Sequence, residues 1–285
     1  MNIAWIGVGV MGESIINHLL NAGHNLFVYN RTVSKCENVV NNGAILLNNI
    51  SDAPKNADII FTMVGYPKDV EEVYLGENGL LTTTKSNQIF VDLTTSSPEL
   101  AQKIAEKLAE IGSFGLDIPV TGGDIGAKNG TLTLLAGGNK EILDKISPIL
   151  NTFSSSINYF GKSGNGQRAK LGNQVAIATT MISLAESYTF AKNQGLDVEK
   201  FLETISKGAA SSFSMSAYYP RILNNDYKPG FFIHHFLKDM KLALDECEKA
   251  NIKLPGLNLA YDMYNSLSED IKYSEGTQSI IKYYK

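Results

Sequence analysis

The chain has 285 residues, of which 44% are hydrophobic and 19% are charged, and its formal net charge at pH 7 is −4. This composition is ordinary for a globular protein of roughly two domains, and without a basic excess it argues against nucleic acid or an anionic membrane surface as a partner. The two cysteines, Cys36 and Cys247, have no metal-ligand spacing. The longest apolar run, Val175–Leu184, is too short and too polar to span a membrane. The first residues also lack the pattern of a secretory leader, so we expect a cytoplasmic protein without a metal.

The first half of the chain alternates short β-branched runs with helical patterns. The predicted strands are Asn2–Ile6, Asn25–Tyr29, Asp58–Met63, Gln88–Leu93, Phe114–Asp117, Thr131–Ala136 and Asn158–Phe160. The predicted helices are Glu13–Ala22, Ser34–Asn41, Pro98 to about Ile111, and Lys140–Leu150. This alternation is typical of an α/β fold with a doubly wound, mostly parallel sheet, so residues 1–161 are predicted to form a Rossmann domain that binds a dinucleotide.

The pattern changes near Gly161, where strands give way to helices alone. Residues 164–193 contain no proline and keep a continuous apolar period, which predicts one long helix, although Gly166 and Gly172 weaken its first turns. Further helices are predicted at Val198–Ser206, His234–Ala250 and Leu257–Ser266. Residues 162–285 are therefore predicted to form an all-helical domain for substrate binding and oligomerisation.

A GxGxxG motif follows the first predicted strand and opens the first predicted helix. It consists of Gly7, Val8, Gly9, Val10, Met11 and Gly12. The first glycine permits the tight turn, the second lets a pyrophosphate approach the backbone, and the third lets helix and strand pack closely. The helix N-terminus then presents unpaired N–H groups to the phosphates. A glycine-rich turn is the alternative, but the strand, the helix and the spacing favour a dinucleotide site.

The end of the second strand is the position that selects the cofactor. Enzymes that use NAD carry Asp or Glu there, whereas this chain has Asn30, Arg31 and Thr32. Arg31 offers a planar, charged fork to a 2′-phosphate, with neutral donors on either side and no carboxylate to repel the phosphate. A solvated loop arginine is the alternative. The segment predicts NADP(H) as the preferred cofactor, with NAD(H) as the second choice.

Two further segments carry polar groups at positions where a substrate could bind. Residues 117–123, DIPVTGG, leave a strand and end in two glycines, so Thr121 and the following N–H groups can face a carboxylate, although such a segment is more often only a turn. Lys170 and Asn173 are three residues apart on the long helix, which places their Cβ atoms about 5–6 Å apart on one face. An isolated helical lysine is most often solvated, but this one begins near a predicted domain junction, where clefts form.

Together these motifs resemble the β-hydroxyacid dehydrogenase family, which includes 3-hydroxyisobutyrate dehydrogenase, tartronate semialdehyde reductase and glyoxylate/succinic semialdehyde reductase. The resemblance runs through the whole chain in the order GVGVMG, DLTTSSP, DIPVTGG, GKSGNGQRAKLGNQ and KDMKLAL. Residues 29–36, YNRTVSKC, look most like the NADPH-using members. There are departures: many members have Ser at the position of Thr121, and Leu-Pro where this chain has Val64 and Gly65.

The resemblance implies roles that spacing alone does not show. Lys170 would be the catalytic acid and base, and Asn173 would keep the substrate and the lysine in register. The substrate would be bound by Thr121, Gly122, Gly123, Phe231 and Asp239. The cofactor would also contact Met63, Val64, Gly65, Thr95 and Lys238.

The function implied by the resemblance is that of an oxidoreductase that interconverts a small 3-hydroxy acid, or a related hydroxy acid, and its semialdehyde or oxo acid. A hydride would pass between the nicotinamide and the carbonyl carbon. The family and the long apolar helix imply a homodimer or homotetramer. Two alternatives fit the motifs, an NADPH-binding sensor or scaffold without turnover and a relative of the imine reductases. The pair Lys170 and Asn173 disfavours the sensor, and imine-reducing relatives usually lack the lysine.

Overall fold

Short apolar runs form the strands of the first of two compact units, Met1–Lys170 and Leu171–Lys285. The computed structural model describes residues 1–284. The strands are β1 (Asn2–Ile6), β2 (Asn25–Tyr29), β3 (Ile45–Leu46), β4 (Ile59–Thr62), β5 (Ile89–Asp92), β6 (Phe114–Asp117), β7 (Val120–Thr121), β8 (Leu132–Ala136) and β9 (Ser154–Tyr159).

Six of these strands form one parallel sheet in the order β3-β2-β1-β4-β5-β6. The order reverses beside β1, as in a doubly wound fold, and every residue of β4 and β5 is buried because helices cover both faces. A second sheet, β7-β8-β9, has β7 antiparallel to β8 and β8 parallel to β9. The predicted doubly wound, mostly parallel α/β fold is therefore confirmed, with a small second sheet added to it.

The helices of the first unit connect the strands. They are α1 (Val10–Asn21), α2 (Glu37–Asn41), α3 (Ala53–Asn56), α4 (Pro67–Leu75), α5 (Pro98–Glu110), α6 (Gly123–Asn129) and α7 (Lys140–Leu150), with 3₁₀ turns at Val33–Cys36, Ile50–Asp52 and Leu80–Thr82. Ser97 caps α5 by accepting a hydrogen bond from the N–H of Leu100, and Pro98 takes the first helical position, as its sequence predicts.

The only tryptophan of the chain marks the core of the first unit. Trp5 is fully buried and stacks on Phe61, with 5.6 Å between the ring centroids, while Phe61 meets Phe153 edge to face. Trp5 also donates a hydrogen bond of 2.8 Å from its indole N–H to the carbonyl oxygen of Gly7. The fluorescence of this residue therefore reports on the fold of the first unit and on the turn that follows β1.

The second unit is helical. Its helices are the greater part of α8 (Asn165–Asn193), then α9 (Val198–Ile205), α10 (Phe213–Leu223), α11 (Ile233–Lys249), α12 (Pro255–Asn265) and α13 (Glu269–Ser274), followed by a 3₁₀ segment, Thr277–Tyr284. The predicted long helix is present as α8. The predicted domain boundary, between residues 161 and 162, lies at the turn that leads into it.

Five of the helices in residues 1–284 are not indicated by the sequence patterns, namely α3, α4, α6, α10 and α13. The clearest case is α6, which begins where the predicted segment 117–123 ends. It has seven residues and contains Gly123 and Gly126, so its propensity is poor. Tertiary contacts hold it in place, since His18 of α1 bonds the carbonyl oxygen of Ala127 at 3.0 Å. Within residues 1–284, no helix is both long and apolar enough to cross a lipid bilayer.

Candidate active site

The glycine motif after β1 forms a turn whose fold requires glycine at two of its three glycine positions. Gly7 has φ of 101°, and a Cβ there would lie 2.2 Å from the carbonyl oxygen of Met63. A Cβ on Gly12 would lie 2.6 Å from the carbonyl oxygen of Gly7. Gly9 differs, because no heavy atom of a side chain or loop beyond its own chain neighbours in residues 1–284 lies within 4 Å of the place a Cβ would occupy. The first and third glycines are needed by the fold, and the second leaves open space.

This turn fits the diphosphate of a dinucleotide. Gly9 is the residue before α1, and within residues 1–284 no side chain caps the N–H groups of the first helical turn. Val10, an apolar residue, is 71% exposed at the same place. Uncapped N–H groups at a helix N-terminus, next to a backbone that can be approached closely, are the donors that a phosphate needs.

Asn30, Arg31 and Thr32 follow β2, and their contacts differ in detail from those predicted for a segment that selects the cofactor. Asn30 accepts a hydrogen bond from the N–H of Val8 at 2.9 Å and donates to the carbonyl oxygen of Thr32 at 2.8 Å, so it ties the glycine turn to β2. The side chain of Arg31 is 86% exposed. The expectation that no carboxylate lies near it is wrong, because Asp69 at the start of α4 approaches its guanidinium at 3.8 Å. Asp69 is held there by capping the N–H of Tyr66.

The loops at the carboxyl ends of the neighbouring strands are joined to one another. Met63 follows β4, and its N–H donates to the carbonyl oxygen of Ile6 at 2.9 Å. The N–H of Val64 donates to the hydroxyl of Thr94, which follows β5, at 3.0 Å. The predicted cofactor-lining residues Met63, Val64, Gly65 and Thr95 are all partly exposed on these two loops. The structure thus brings them to the same sheet edge as the glycine turn.

A buried glutamine continues this connection to the start of α8. Gln167 has no exposed surface; its Nε2 donates to the carbonyl oxygen of Thr94, and its Oε1 accepts from the N–H of Ser96, both at 2.8 Å. The two bonds lie on either side of Thr95. The first turn of α8 is therefore fixed to the loop after β5.

Two buried carboxyl groups lie side by side at the ends of β5 and β6, where Asp92 pairs with Asp117 in the sheet register. Asp117 accepts hydrogen bonds from the N–H groups of Gly164 and Gln167 at 2.8 and 2.9 Å. Asp92 accepts from the hydroxyl of Thr62 at 2.8 Å. Burial raises the pKa of each carboxyl to about 6, because the charged form is poorly solvated there.

The predicted carboxylate-binding segment, Thr121–Gly123, runs from β7 into α6. Gly122 and Gly123 have φ of 126° and 65°, conformations that favour glycine. Both glycines are exposed, and Thr121 is partly exposed. Their N–H groups and the Thr121 hydroxyl are the polar groups this segment offers to a ligand.

Lys170 is the last residue of the first unit and lies in the second turn of α8. Its exposure is only 8%, so it is not the solvated helical lysine that is usual in proteins. It follows Gln167 by three residues, and residues three apart lie on the same helical face. The anchoring of Gln167 and Asp117 therefore fixes the backbone that carries this amine.

In the second unit, a chain of polar contacts links predicted site residues of α8 and α11. Asn173 donates to the Oε1 of Gln174 at 2.9 Å, and the Nε2 of Gln174 donates to Asp239 at 2.7 Å. Asp239 is 1% exposed and pairs with Lys238 at 2.8 Å. The contacts with Gln174 and Lys238 compensate the burial of this carboxylate. The predicted residue Asn173 is thus connected to the predicted pair Lys238 and Asp239 through Gln174, which was not predicted.

Phe231, the remaining predicted residue, precedes α11 in an aromatic cluster. Its ring stacks on His235 with 6.5 Å between centroids and meets Phe236 edge to face at 5.9 Å. His234 and His235 are 4.2 Å apart and belong to the same cluster. These contacts assign the two histidines to packing.

Sequence reasoning missed Gln167, Gln174, Asp69 and the anchoring role of Asp117. The partners of Gln167 lie 71 and 73 residues away in the chain, and those of Asp117 lie 47 and 50 residues away. Pattern and spacing do not reveal such contacts. The one available signal was the position of Gln167, on the same predicted helical face as Lys170.

Comparison with known proteins agrees with this geometry. Residues 2–161 match the model of the NAD-binding domain of 6-phosphogluconate dehydrogenase. Residues 164–284 match the model of the NAD-binding domain of NADP-dependent 3-hydroxyisobutyrate dehydrogenase. The two matches together span nearly the whole chain.

Similar proteins cover the chain from end to end. An uncharacterised oxidoreductase of Bacillus subtilis is 47% identical over 280 residues, covering 98% of this chain and 97% of its own. A probable 3-hydroxyisobutyrate dehydrogenase-like protein of Arabidopsis thaliana is 43% identical, with 98% and 84% coverage. The 2-hydroxy-3-oxopropionate reductase of Escherichia coli is 31% identical over 267 residues, covering 93% of this chain and 91% of its own.

Among solved structures, the 3-hydroxyisobutyrate dehydrogenase of Mycobacterium tuberculosis with L-serine superposes with a TM-score of 0.90 at 26% identity. The superposition covers 99% of this chain and 98% of the mycobacterial one. The family models, the full-length relatives and the glycine turn agree with one another. The chain is an oxidoreductase that binds a nicotinamide cofactor and belongs to the β-hydroxyacid dehydrogenase family.

Proposed function

We propose that this enzyme uses NADP(H) to interconvert a small 3-hydroxy acid, or a related hydroxy acid, and its semialdehyde or oxo acid, with Lys170 as acid and base. The observation that carries the proposal is the burial of Lys170, which is 8% exposed in the second turn of a helix anchored to the cofactor edge of the sheet. Burial of an amine is unfavourable, so a lysine kept there calls for a chemical reason.

Each group of residues has a distinct task in this proposal. The N–H groups at the start of α1 hold the cofactor diphosphate, and Met63, Val64, Gly65 and Thr95 line the remainder of the dinucleotide. When bound, the nicotinamide supplies or accepts the hydride. Lys170, as an ammonium, gives a proton to the oxygen of the carbonyl during reduction, and as a neutral amine it takes that proton back during oxidation.

The residues offered to the substrate favour a short carboxylate. Thr121, Gly122 and Gly123 supply a hydroxyl and backbone N–H groups, which suit one carboxylate group. For the second unit, taken by itself, we propose substrate contacts for Asn173, Phe231 and Asp239 and a cofactor contact for Lys238. The mycobacterial relative was solved with L-serine, itself a small 3-hydroxy acid, which supports this substrate class. A cytoplasmic location and a homodimer or homotetramer remain predictions.

The substrate class is tested by following the oxidation of NADPH spectrophotometrically. The compounds are glyoxylate, succinic semialdehyde, tartronate semialdehyde and methylmalonate semialdehyde. We expect turnover with at least one of them. Binding of NADPH without turnover on any compound would instead favour a sensor or scaffold.

The choice between the two cofactors depends on Arg31. A charge-assisted hydrogen bond to the 2′-phosphate contributes about 1.5–3 kcal/mol, so we expect kcat/KM with NADPH to exceed that with NADH by about 10- to 100-fold. Arg31→Ala should lower this ratio toward unity by weakening NADPH alone. Lys107→Ala, which removes an exposed cation on α5, is the control and should leave the ratio unchanged. Equal kcat/KM values for the two cofactors in the wild-type enzyme would contradict the assignment.

A further inference from the structure

Gln167 has the contacts of a residue that sets the position of Lys170. Its amide is fully buried and bonded at both ends to backbone atoms of one loop, the carbonyl oxygen of Thr94 and the N–H of Ser96. Two opposed bonds to neighbouring peptide groups fix both the distance and the orientation of the side chain.

The loop that Gln167 holds is one of those proposed to line the cofactor. The two bonded residues flank Thr95, the predicted neighbour of the nicotinamide ribose. Gln167 and Lys170 are three residues apart on α8, so their Cβ atoms are about 5–6 Å apart on the same face. The glutamine therefore joins the Thr95 loop to the helical turns that carry Lys170.

Asp117 holds the start of α8 at a second point, so that the helix cannot rotate about the bonds of the Gln167 side chain. Asp117 bonds the N–H groups of Gly164 and Gln167. A Cβ on Gly166 would lie 2.2 Å from the carbonyl oxygen of Asp117 and 2.5 Å from that of Leu135, so the backbone of α8 lies directly against the ends of β6 and β8. With both anchors in place, the first turns of the helix have one position relative to the sheet edge.

We propose that Gln167 is a positioning residue, which holds the Lys170 amine in register with the nicotinamide by joining the first turn of α8 to the loop that carries Thr95. This inference rests on the proposed function, because it needs Lys170 to act as acid and base. Loss of the two bonds lets the amine drift from its working distance, and a displacement of about 1 Å can lower a rate by about 100-fold.

The test compares two buried glutamines of the same unit. Gln88 is 5% exposed, donates to the carbonyl oxygens of Pro54 and Ala57, and accepts from the N–H of Lys85, each at 2.7 Å. Gln167→Met and Gln88→Met remove equivalent clamps and are expected to destabilise the first unit to a similar degree, as followed by Trp5 fluorescence in urea. Only Gln167→Met should lower kcat, by about 10- to 100-fold, with the Kd for NADPH unchanged.

A kinetic isotope effect separates positioning from general loosening. With NADPH deuterated at the transferred position, the isotope effect on kcat should increase in Gln167→Met, because the chemical step becomes slower than product release, and should stay at the wild-type value in Gln88→Met. If Gln167→Met has the kcat of Gln88→Met, the positioning role is overturned while the proposed function stands. If the wild-type enzyme itself reduces none of the semialdehydes, the proposed function fails and this inference fails with it.

Gln167→Glu provides a second variant should the methionine variant not fold. Its oxygen can still accept from the N–H of Ser96, but the ionised carboxylate cannot donate to the carbonyl oxygen of Thr94. Protonation restores that donor, so the ratio of its kcat to that of the wild-type enzyme should increase as the pH is lowered from 8 to about 6. A ratio independent of pH would overturn the role.

Discussion

Replacing Lys170 with alanine is expected to lower kcat for semialdehyde reduction by at least about 100-fold and to leave the affinity for NADPH unchanged. The reason is that the side chain supplies the proton for the substrate oxygen, whereas none of the contacts proposed for the cofactor involves it. Stopped-flow or steady-state assays give kcat, and fluorescence titration gives the Kd for NADPH. A loss of less than roughly tenfold would refute the acid and base role.

Two further variants separate loss of the proton from loss of packing. Lys170→Met keeps most of the volume of this side chain, which is 8% exposed. Its kcat should be as low as that of the alanine variant. Lys272 is also 8% exposed and pairs with Glu269 at 2.9 Å, so Lys272→Met is a matched loss of a buried lysine elsewhere in the chain. It should retain kcat. Wild-type reduction should also favour neutral pH and oxidation alkaline pH, since the amine must be charged for one and neutral for the other.

Replacing Gly9 with alanine is expected to lower the affinity for NADPH by about 10- to 100-fold while the protein stays folded. Beyond the chain neighbours of Gly9, no heavy atom of a side chain or loop in the described residues lies within 4 Å of the added methyl group, and the φ of −97° at Gly9 suits alanine. The methyl group would instead fill the space through which the pyrophosphate approaches the backbone. Isothermal titration with NADPH measures the loss, and the urea midpoint of Trp5 fluorescence shows whether the fold is intact.

Gly7→Ala is the matched comparison for Gly9→Ala, because the same methyl group has the opposite consequence there. It would lie 2.2 Å from the carbonyl oxygen of Met63 at a residue whose φ is 101°. We expect a loss of about 1–3 kcal/mol in the free energy of unfolding, visible as a lower urea midpoint. Unimpaired NADPH binding by Gly9→Ala would show that the open space above this glycine is not the pyrophosphate site.

Local sequence patterns predicted the fold well where one face of an element is buried. Lys140–Leu150 and Phe114–Asp117 form with the bounds that their periodicity predicts. The start of α1 was predicted three residues late, at Glu13 instead of Val10, because Gly12 argues against a helix by propensity. In the structure, Gly12 lies within α1, where it packs closely against the Gly7 carbonyl.

The candidate site was predictable only where its residues form a contiguous motif. The glycine turn, Arg31 and the Thr121 segment are readable because each role follows from neighbouring residues. Asp69 lies near Arg31 only through the fold, and Gln167 meets Thr94 from 73 residues away. Such contacts depend on strand order and register, which pattern and propensity do not specify.

The bonds between Asp117 and the start of α8 also bear on how the chain folds during synthesis. The parallel strands can pair as they leave the ribosome, but the carboxylate of Asp117 obtains its donors from Gly164 and Gln167 only after a further 47 and 50 residues have been made. Closing that loop costs conformational entropy. A nascent chain ending at residue 161 would thus lack the two N–H groups that Asp117 bonds in the structure. These two donors are made together with the start of α8, the helix that continues into the second unit.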